Sequence, residues 1–306
     1  MKGKLNILIL PAVLFVMAWH ISHCGSPGSE KGFPYKLSRP DERYVLPKKL
    51  KEVSGLSFVS DGVVALIDDE QGTIFYYSFA ERKVIRKIVF AKHGDYEDLE
   101  VNGDSAYVLK SDGTLFDVQH LSDKNGITVH SIHTGLSKLD NTEGLCYDKA
   151  DNVLLIACKF NPARGDVRFG EKAIYTFDLR TGKLLPEPYM EINPDDVEKA
   201  AVGSKLNALQ KLMRFYQHTG DVKFEPSGLA INPRTGELYV IASAGNMLAV
   251  FSGRGNTAEI KHAIHLPSSV FKQPEGIAFD AAGNLYISNE GRKGKGNILK
   301  FSFLQD

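Results

Sequence analysis

The stretch at residues 225–229 reads Glu-Pro-Ser-Gly-Leu, and a strand-like run at residues 238–241 follows it after a short turn. Related phrases recur along the chain, and each opens on a glutamate. The five opening glutamates are Glu52, Glu97, Glu143, Glu225 and Glu275. Repeats of roughly 45 residues that consist of short strands are typical of β-propellers. The sequence therefore predicts an all-β, five-bladed β-propeller.

The spacing of these phrases also locates an insertion. The interval between Glu143 and Glu225 is almost twice the others, and it contains Asn-Pro-Asp-Asp at residues 193–196. An Asn cap, a proline at the first helical position and acids in the first turn indicate a helix start. We predict an amphipathic helix over about 193–218, packed on the side of the propeller or placed as a lid over its channel. A sixth blade would need to lie within residues 186–222, which have a helical pattern.

The two ends of the propeller complement each other. The last repeat ends after residues 298–303 and lacks an outer strand, whereas residues 35–46 precede the first phrase and have no blade of their own. We predict that this early segment completes the final blade and closes the ring, which removes exposed sheet edges. Residues 34–306 are then one propeller domain.

The first 24 residues have a separate character. Lys2 and Lys4 precede an apolar run, residues 5–19, that is short for a membrane span and typical of a secretory signal. The run ends near Cys24, and residues 25–33 form a Gly/Ser/Pro-rich tether. This start is similar to a bacterial lipoprotein signal, which implies lipidation of Cys24 and a lipid anchor in the cell envelope, on the periplasmic or outer-surface side. His23 departs from the small residue usual there, so an uncleaved anchor and a secreted form are alternatives.

Composition excludes one class of partner. Lys plus Arg and Asp plus Glu are both 37, so the formal net charge is zero. Binding of nucleic acid needs a concentrated basic face, and we expect none.

Cys146 and Cys158 fall on neighbouring strands but too far apart along them for a disulfide. We predict two free, buried thiols and a monomeric protein.

The opening glutamates suggest a binding site. We assign all five glutamates to equivalent positions of the repeat. A propeller would therefore gather them beside its central channel. Converging carboxylates repel one another and must take up protons, pair with cations or bind a metal. Calcium suits them because it accepts 6–8 oxygen ligands in loose geometry. Alternatively, each glutamate accepts backbone hydrogen bonds and braces neighbouring blades.

A second group lies where the second strand of each blade ends. Asp69 and Glu70 end this strand in blade one, and Asn289 and Glu290 end it in blade five. Lys110 and Lys159 occupy the corresponding places in blades two and three. We expect all of these on one face of the disc, where the acids and Asn289 extend the candidate metal site. The two lysines could hold an anionic ligand or join a salt-bridge network.

Residues 273–290 carry a family resemblance. They run from Gln-Pro-Glu-Gly-Ile to a Leu-Tyr-Ile-Ser-Asn-Glu strand end. From about Leu46 onward, the chain resembles the SdiA-regulated family of bacterial envelope β-propeller lipoproteins, which is related to the β-propeller phytases. The resemblance implies calcium bound by acids at the positions of Glu275 and Glu290, with Asn289 replacing one carboxylate. The phytase Asp-Asp-Pro-Ala signature is absent.

These observations give a leading function and two alternatives. The leading hypothesis is a binding module for an envelope ligand or protein, stabilised by a calcium ion. The first alternative is a calcium-dependent, phytase-like phosphoesterase. In it, Glu275, Glu290, Asp69 and Glu70 would hold calcium, and Lys110 or Lys159 would hold the phosphate. The second alternative is a structural scaffold without a ligand.

Overall fold

Five sheets arranged around one axis make up the protein. The computed structural model describes residues 32–160, 170–203 and 223–304. Within these ranges, twenty strands form five antiparallel sheets of four strands each. The predicted five-bladed β-propeller is thereby confirmed. No helix within the described ranges is long and apolar enough to cross a membrane.

The strands are numbered in chain order, and the blades follow the order of their innermost strands. The first strand, β1 (Glu42–Val45), is the outermost strand of blade five. Blade one, from the centre outward, comprises β2 (Val53–Ser60), β3 (Val63–Asp68), β4 (Gln71–Ser78) and β5 (Lys83–Val89). Blade two comprises β6 (Tyr96–Asn102), β7 (Ser105–Lys110), β8 (Thr114–Gln119) and β9 (Thr128–His133).

The remaining blades repeat this arrangement. Blade three comprises β10 (Thr142–Asp148), β11 (Val153–Cys158), β12 (Lys172–Asp178) and β13 (Lys183–Ile192). Blade four comprises β14 (Glu225–Ile231), β15 (Leu238–Ala244), β16 (Met247–Ser252) and β17 (Glu259–His265). Blade five comprises β18 (Pro274–Phe279), β19 (Leu285–Asn289), β20 (Asn297–Phe301) and then β1. Two short 3-10 helices span Lys48–Leu50 and Gly255–Thr257.

Strand β1 closes the ring as predicted. It pairs antiparallel with β20, and Tyr44 lies opposite Ile298. The segment before it packs between blades four and five, where the Tyr35 hydroxyl donates to the Gly283 carbonyl oxygen at 2.6 Å. The same hydroxyl accepts a hydrogen bond from Asn232 Nδ2 at 2.8 Å. The N-terminal segment therefore stabilises the last blade against its neighbour.

The hydrophobic core is divided among the blade interfaces. Five clusters of buried apolar side chains each lie between two adjacent blades. Near the axis the innermost strands approach so closely that side chains are excluded. A Cβ atom added to Gly228 would lie 2.5 Å from the carbonyl oxygen of Glu275 in the next blade. Glycine recurs in the opening phrases because it permits this approach.

Helix α1 (Pro194–Gly203) confirms the predicted helix start between blades three and four. The Asn193 side-chain oxygen caps it by accepting the backbone N–H of Asp195 at 2.9 Å. Val197 is buried against blade four, and Glu198 pairs with His265 of β17 at 2.9 Å. The described part of the insertion thus packs on the side of the propeller.

The structure tests the predicted free cysteines but not the predictions about the undescribed segments. Cys146 and Cys158 are buried and free, as predicted. The signal segment with Cys24, most of the tether and the rest of the insertion lie outside the described residues. The predictions about these segments stay predictions.

Candidate functional site

The innermost strand of every blade carries a β-bulge at the same place. In blade one, Val53 pairs with Asp68 and Gly55 with Ile67, so the register passes over Ser54. The residues passed over in the five blades are Ser54, Glu97, Glu143, Ser227 and Glu275, the last together with Gly276. A bulged residue is released from strict alternation, and its side chain can point in a direction of its own.

All five bulge positions line one cavity near the axis of the propeller. The cavity has a volume of about 160 Å³. Its lining residues are Ser54, Asp69, Glu97, Glu143, Lys159, Ser227, Gln273, Glu275 and Glu290. Five carboxylates from four different blades therefore surround the same space, together with one ammonium group.

The structure corrects one part of the predicted glutamate ring. Glu52 and Glu225 precede the bulge by two residues, and Ser54 and Ser227 occupy the bulge in their blades. The prediction that all five opening glutamates share one phase is therefore wrong for these two, and neither lines the cavity. In four of the blades the bulged residue directly precedes a glycine, whereas its distance from the opening glutamate varies. Alignment on the glycine instead would have placed the two serines in the ring.

Of the other predicted site residues, some line the cavity and some do not. Lys110 pairs with Asp112 at 3.0 Å and does not line the cavity. Glu70 is exposed and lies outside the lining as well. Asn289 is fully buried beside Glu290, and neither end of its amide has a hydrogen-bond partner in the described part of the chain. Asp69, Lys159 and Glu290 are the members of this group that reach the cavity.

Two of the cavity carboxylates have partners. Glu143 Oε1 accepts hydrogen bonds from Asn141 Nδ2 at 2.6 Å and from Lys159 Nζ at 3.2 Å. Glu275 Oε1 accepts a hydrogen bond from the Ser243 hydroxyl of the neighbouring blade at 2.9 Å. Only the Glu275 bond joins two blades, because both partners of Glu143 belong to blade three.

The carboxylates of Asp69, Glu97 and Glu290 form no ion pair with any cation of the described residues. Within the described ranges, the Glu97 and Glu290 carboxylates form no hydrogen bond or ion pair, and Asp69 Oδ1 is buried without a hydrogen-bond partner. They come from blades two, five and one. All three side chains are half-buried, and half-buried carboxylates held around one space are stabilised by a bound cation.

Their electrostatics agree with this interpretation. Burial, then Glu143 and Asp95, raise the pKa of Glu97 to about 9. Burial, then Glu275 and Asp69, raise the pKa of Glu290 to about 8. Burial, followed by neighbouring acids, raises the pKa of Asp69 to about 7. At neutral pH these carboxylates therefore hold protons, and a bound cation would replace them.

The acids of the cavity favour the charged form of the Lys159 ammonium group. Burial acts to lower the pKa of Lys159, but Glu143 outweighs it and the pKa is raised. Burial likewise raises the pKa of Glu143 to about 7, although Lys159 opposes the rise. An ammonium group is thus stabilised inside this space.

Blade two holds two further acids that we did not predict, the buried Asp98 and the half-buried Glu100. Asp98 occupies the place of the glycine in the other blades, and its two oxygens accept the backbone N–H groups of Leu99 and Leu145, both at 2.8 Å. Glu100 accepts the Ser57 hydroxyl at 2.7 Å and the Tyr147 N–H at 3.2 Å. These acids link blade two to both of its neighbours. The alternating acids at residues 97, 98 and 100 were the available signal.

The cavity is wider than a preformed metal site. Among the described residues, no three His, Cys, Asp or Glu side chains converge closely enough to hold a metal ion. The carboxylates surround the space and do not meet at one point.

Solved structures show similarity of fold only. The chain is similar to a luciferin-regenerating enzyme, with 11% identity, a TM-score of 0.47 and coverage of 87% of this chain and 96% of the other. It is similar to the PQQ-bound aldose sugar dehydrogenase of Streptomyces coelicolor, with 12% identity, a TM-score of 0.49 and coverage of 86% and 97%. At such values these similarities carry no argument about function.

Comparison by sequence gives a narrower result. No curated protein matches the chain. One family model does match, and it covers the insertion, blade four and the two inner strands of blade five. The resemblance stated from the sequence is confirmed there, since residues 191–292 match the model of the SdiA-regulated family.

Proposed function

We propose that this protein is a binding module that takes a small cation into the cavity at its axis. The observation that carries the proposal is the set of three uncompensated carboxylates, Asp69, Glu97 and Glu290, around one space. Each comes from a different blade, so a cation bound between them would also stabilise the ring. Like charges held together in this way are a recognised mark of a functional site.

Calcium is the first ion to consider. The cavity offers carboxylate and hydroxyl oxygens, which are the ligands that calcium takes. Because the described acids do not converge on one point, calcium would keep part of its water shell. An organic ammonium ion is the other cation that carboxylates of this kind accommodate, as Lys159 demonstrates.

The same charges bear on the phosphoesterase alternative. A phosphate group in the cavity would meet five carboxylates, and the ammonium of Lys159 is already paired with Glu143 at 3.2 Å. Like-charge contacts of this kind disfavour anions. Phosphate ester hydrolysis stays a prediction, and the cavity supports cation binding better.

The N-terminal sequence supports a location for this module. The lipoprotein-like start supports a propeller tethered to the cell envelope through Cys24. A tether of this composition leaves the disc free to meet ligands or partner proteins of the envelope.

Calorimetric titration of the chelator-treated protein with calcium chloride tests the proposed function. We expect saturable heat, at least a tenfold loss of affinity in Glu97→Gln, and little change in Glu52→Gln. The two variants are a matched pair, because both residues open a repeat but, of the two, only Glu97 lines the cavity. A parallel titration with 1,4-diaminobutane identifies the class of cation.

The two titrations distinguish a calcium site from a site for organic ammonium ions. Heat with the diamine alone would keep the cation site and remove calcium. Equal losses in the two variants, or no heat with either compound, would contradict the proposal.

A further inference from the structure

Two lysines meet over one aromatic ring on blade one. Lys49, from the short helix before β2, places Nζ 5.0 Å from the centre of the Phe75 ring. Lys87, from β5, places Nζ 5.6 Å from the same centre. Each ammonium is attracted by the ring. Because both lie over one ring, however, they repel each other.

No acid compensates this pair. In the described part of the chain, neither Lys49 nor Lys87 forms an ion pair. Burial, together with Lys87, lowers the pKa of Lys49 to about 8. Other lysines of the same region are compensated, since Lys51 pairs with Glu52 and Lys83 pairs with Glu81. The site therefore carries a local excess of positive charge in a protein that has no net charge.

The two lysines are also held in place by the fold. The carbonyl oxygen of Lys49 accepts a hydrogen bond from Gln71 Nε2 at 2.8 Å. Lys87 lies directly opposite Phe75 in the β4–β5 register. The ring itself is only 1% exposed. The pair is thus brought together by the backbone, before any ligand binds.

We propose that Lys49 and Lys87 form a binding site for a phosphate-type oxyanion, with Phe75 as its apolar floor. An anion between the two ammonium groups would turn their repulsion into two charge-assisted hydrogen bonds. Lysine suits phosphate as a mobile point charge. The site is formed by blade one and the segment before it, and it shares no lining residue with the central cavity.

The phosphate can belong to a soluble compound or to a lipid headgroup. Val89 lies two residues beyond Lys87 on the same face of the edge strand and is 72% exposed. An apolar side chain beside a phosphate site suits a membrane surface. The chemistry of the site is the same for both sources, so the experiment has to distinguish them.

Titration with inorganic phosphate, followed by NMR of the lysine side chains, tests the site. We expect saturable binding that raises the pKa of Lys49 by at least about one unit, because a bound anion favours the charged ammonium. Lys49→Gln and Lys87→Gln are each expected to weaken phosphate binding at least tenfold. Lys83→Gln is the matched control, since it removes the same charge from the same strand at a residue paired with Glu81.

Vesicles provide the second arm. Binding to phosphatidylglycerol vesicles that falls in Lys49→Gln and Lys87→Gln, and is absent with phosphatidylcholine, would assign the phosphate to a lipid headgroup. Binding of inorganic phosphate without vesicle binding would assign it to a soluble ligand. If neither probe shifts the pKa of Lys49, or if the two variants bind both probes as well as Lys83→Gln does, the proposal is overturned.

Discussion

Replacing Glu97 with glutamine is expected to stabilise the ligand-free protein and to abolish cation binding. Glu97 lines the cavity and forms no ion pair with any described residue, so glutamine removes an ionisable group whose charged form the fold disfavours. After allowance for solvent screening, we expect a gain of about 1–2 kcal/mol in the free energy of unfolding at pH 8. If Glu97 were only a brace, the same change would destabilise the protein.

The raised pKa values determine whether stability rises or falls with pH. The folded-state pKa values of Glu97 and Glu290, about 9 and about 8, lie above the ordinary value of 4.5. The folded state therefore binds more protons than the unfolded state in this window. Stability falls as pH rises from about 4.5 through about 9.

Thermal unfolding across this pH range, with and without calcium or 1,4-diaminobutane, measures the effect. Glu97→Gln should flatten the profile, and the bound cation should flatten it in the wild type. Glu259→Gln, at an exposed glutamate of β17, is the control and should leave the profile unchanged. A destabilised Glu97→Gln protein that still binds the cation would refute this account of the cavity.

Replacing Asp98 with alanine is expected to cost about 3–5 kcal/mol of stability. Asp98 is only 4% exposed, and its two oxygens satisfy the backbone N–H groups of Leu99 and Leu145. The Leu145 bond crosses from blade two to blade three. Alanine would leave both donors buried without acceptors and would also open a cavity.

Chemical denaturation measures this loss. Asp98→Asn should lose less stability, since its remaining oxygen can still accept one of the two N–H groups. Asp61→Ala, at an exposed hairpin turn, is the control and should change stability by less than about 1 kcal/mol. A loss below about 1 kcal/mol in Asp98→Ala would show that the link between the blades is not structural.

The sequence predicts the fold better than the site, for a physical reason. Blade count, ring closure and the start of α1 depend on local signals such as turns, strand periodicity and the Asn193 cap. The identity of the cavity residues depends on the register between strands. One bulge per blade brings Ser54 and Ser227 to the positions that we had given to Glu52 and Glu225.

The register between strands also decides where the side chains at strand ends point. Lys110 and Asn289 are the last residues of β7 and β19, whereas Asp69 and Glu290 directly follow β3 and β19. Alternation therefore places the side chains of Lys110 and Asn289 away from the cavity. A shift of one residue reverses the face of a strand. The types of residue near the axis could therefore be predicted, whereas their exact positions required the paired strands.

Proton release on cation binding is the most direct test of the cavity. At pH 7.5, Glu97 and Glu290 are largely protonated without a bound cation, because their pKa values are about 9 and about 8. Calcium or 1,4-diaminobutane added to unbuffered protein should release at least about one proton per cation bound. Glu97→Gln should release fewer. Binding without any release, or equal release from the variant, would contradict the claim that the cation replaces protons on these carboxylates.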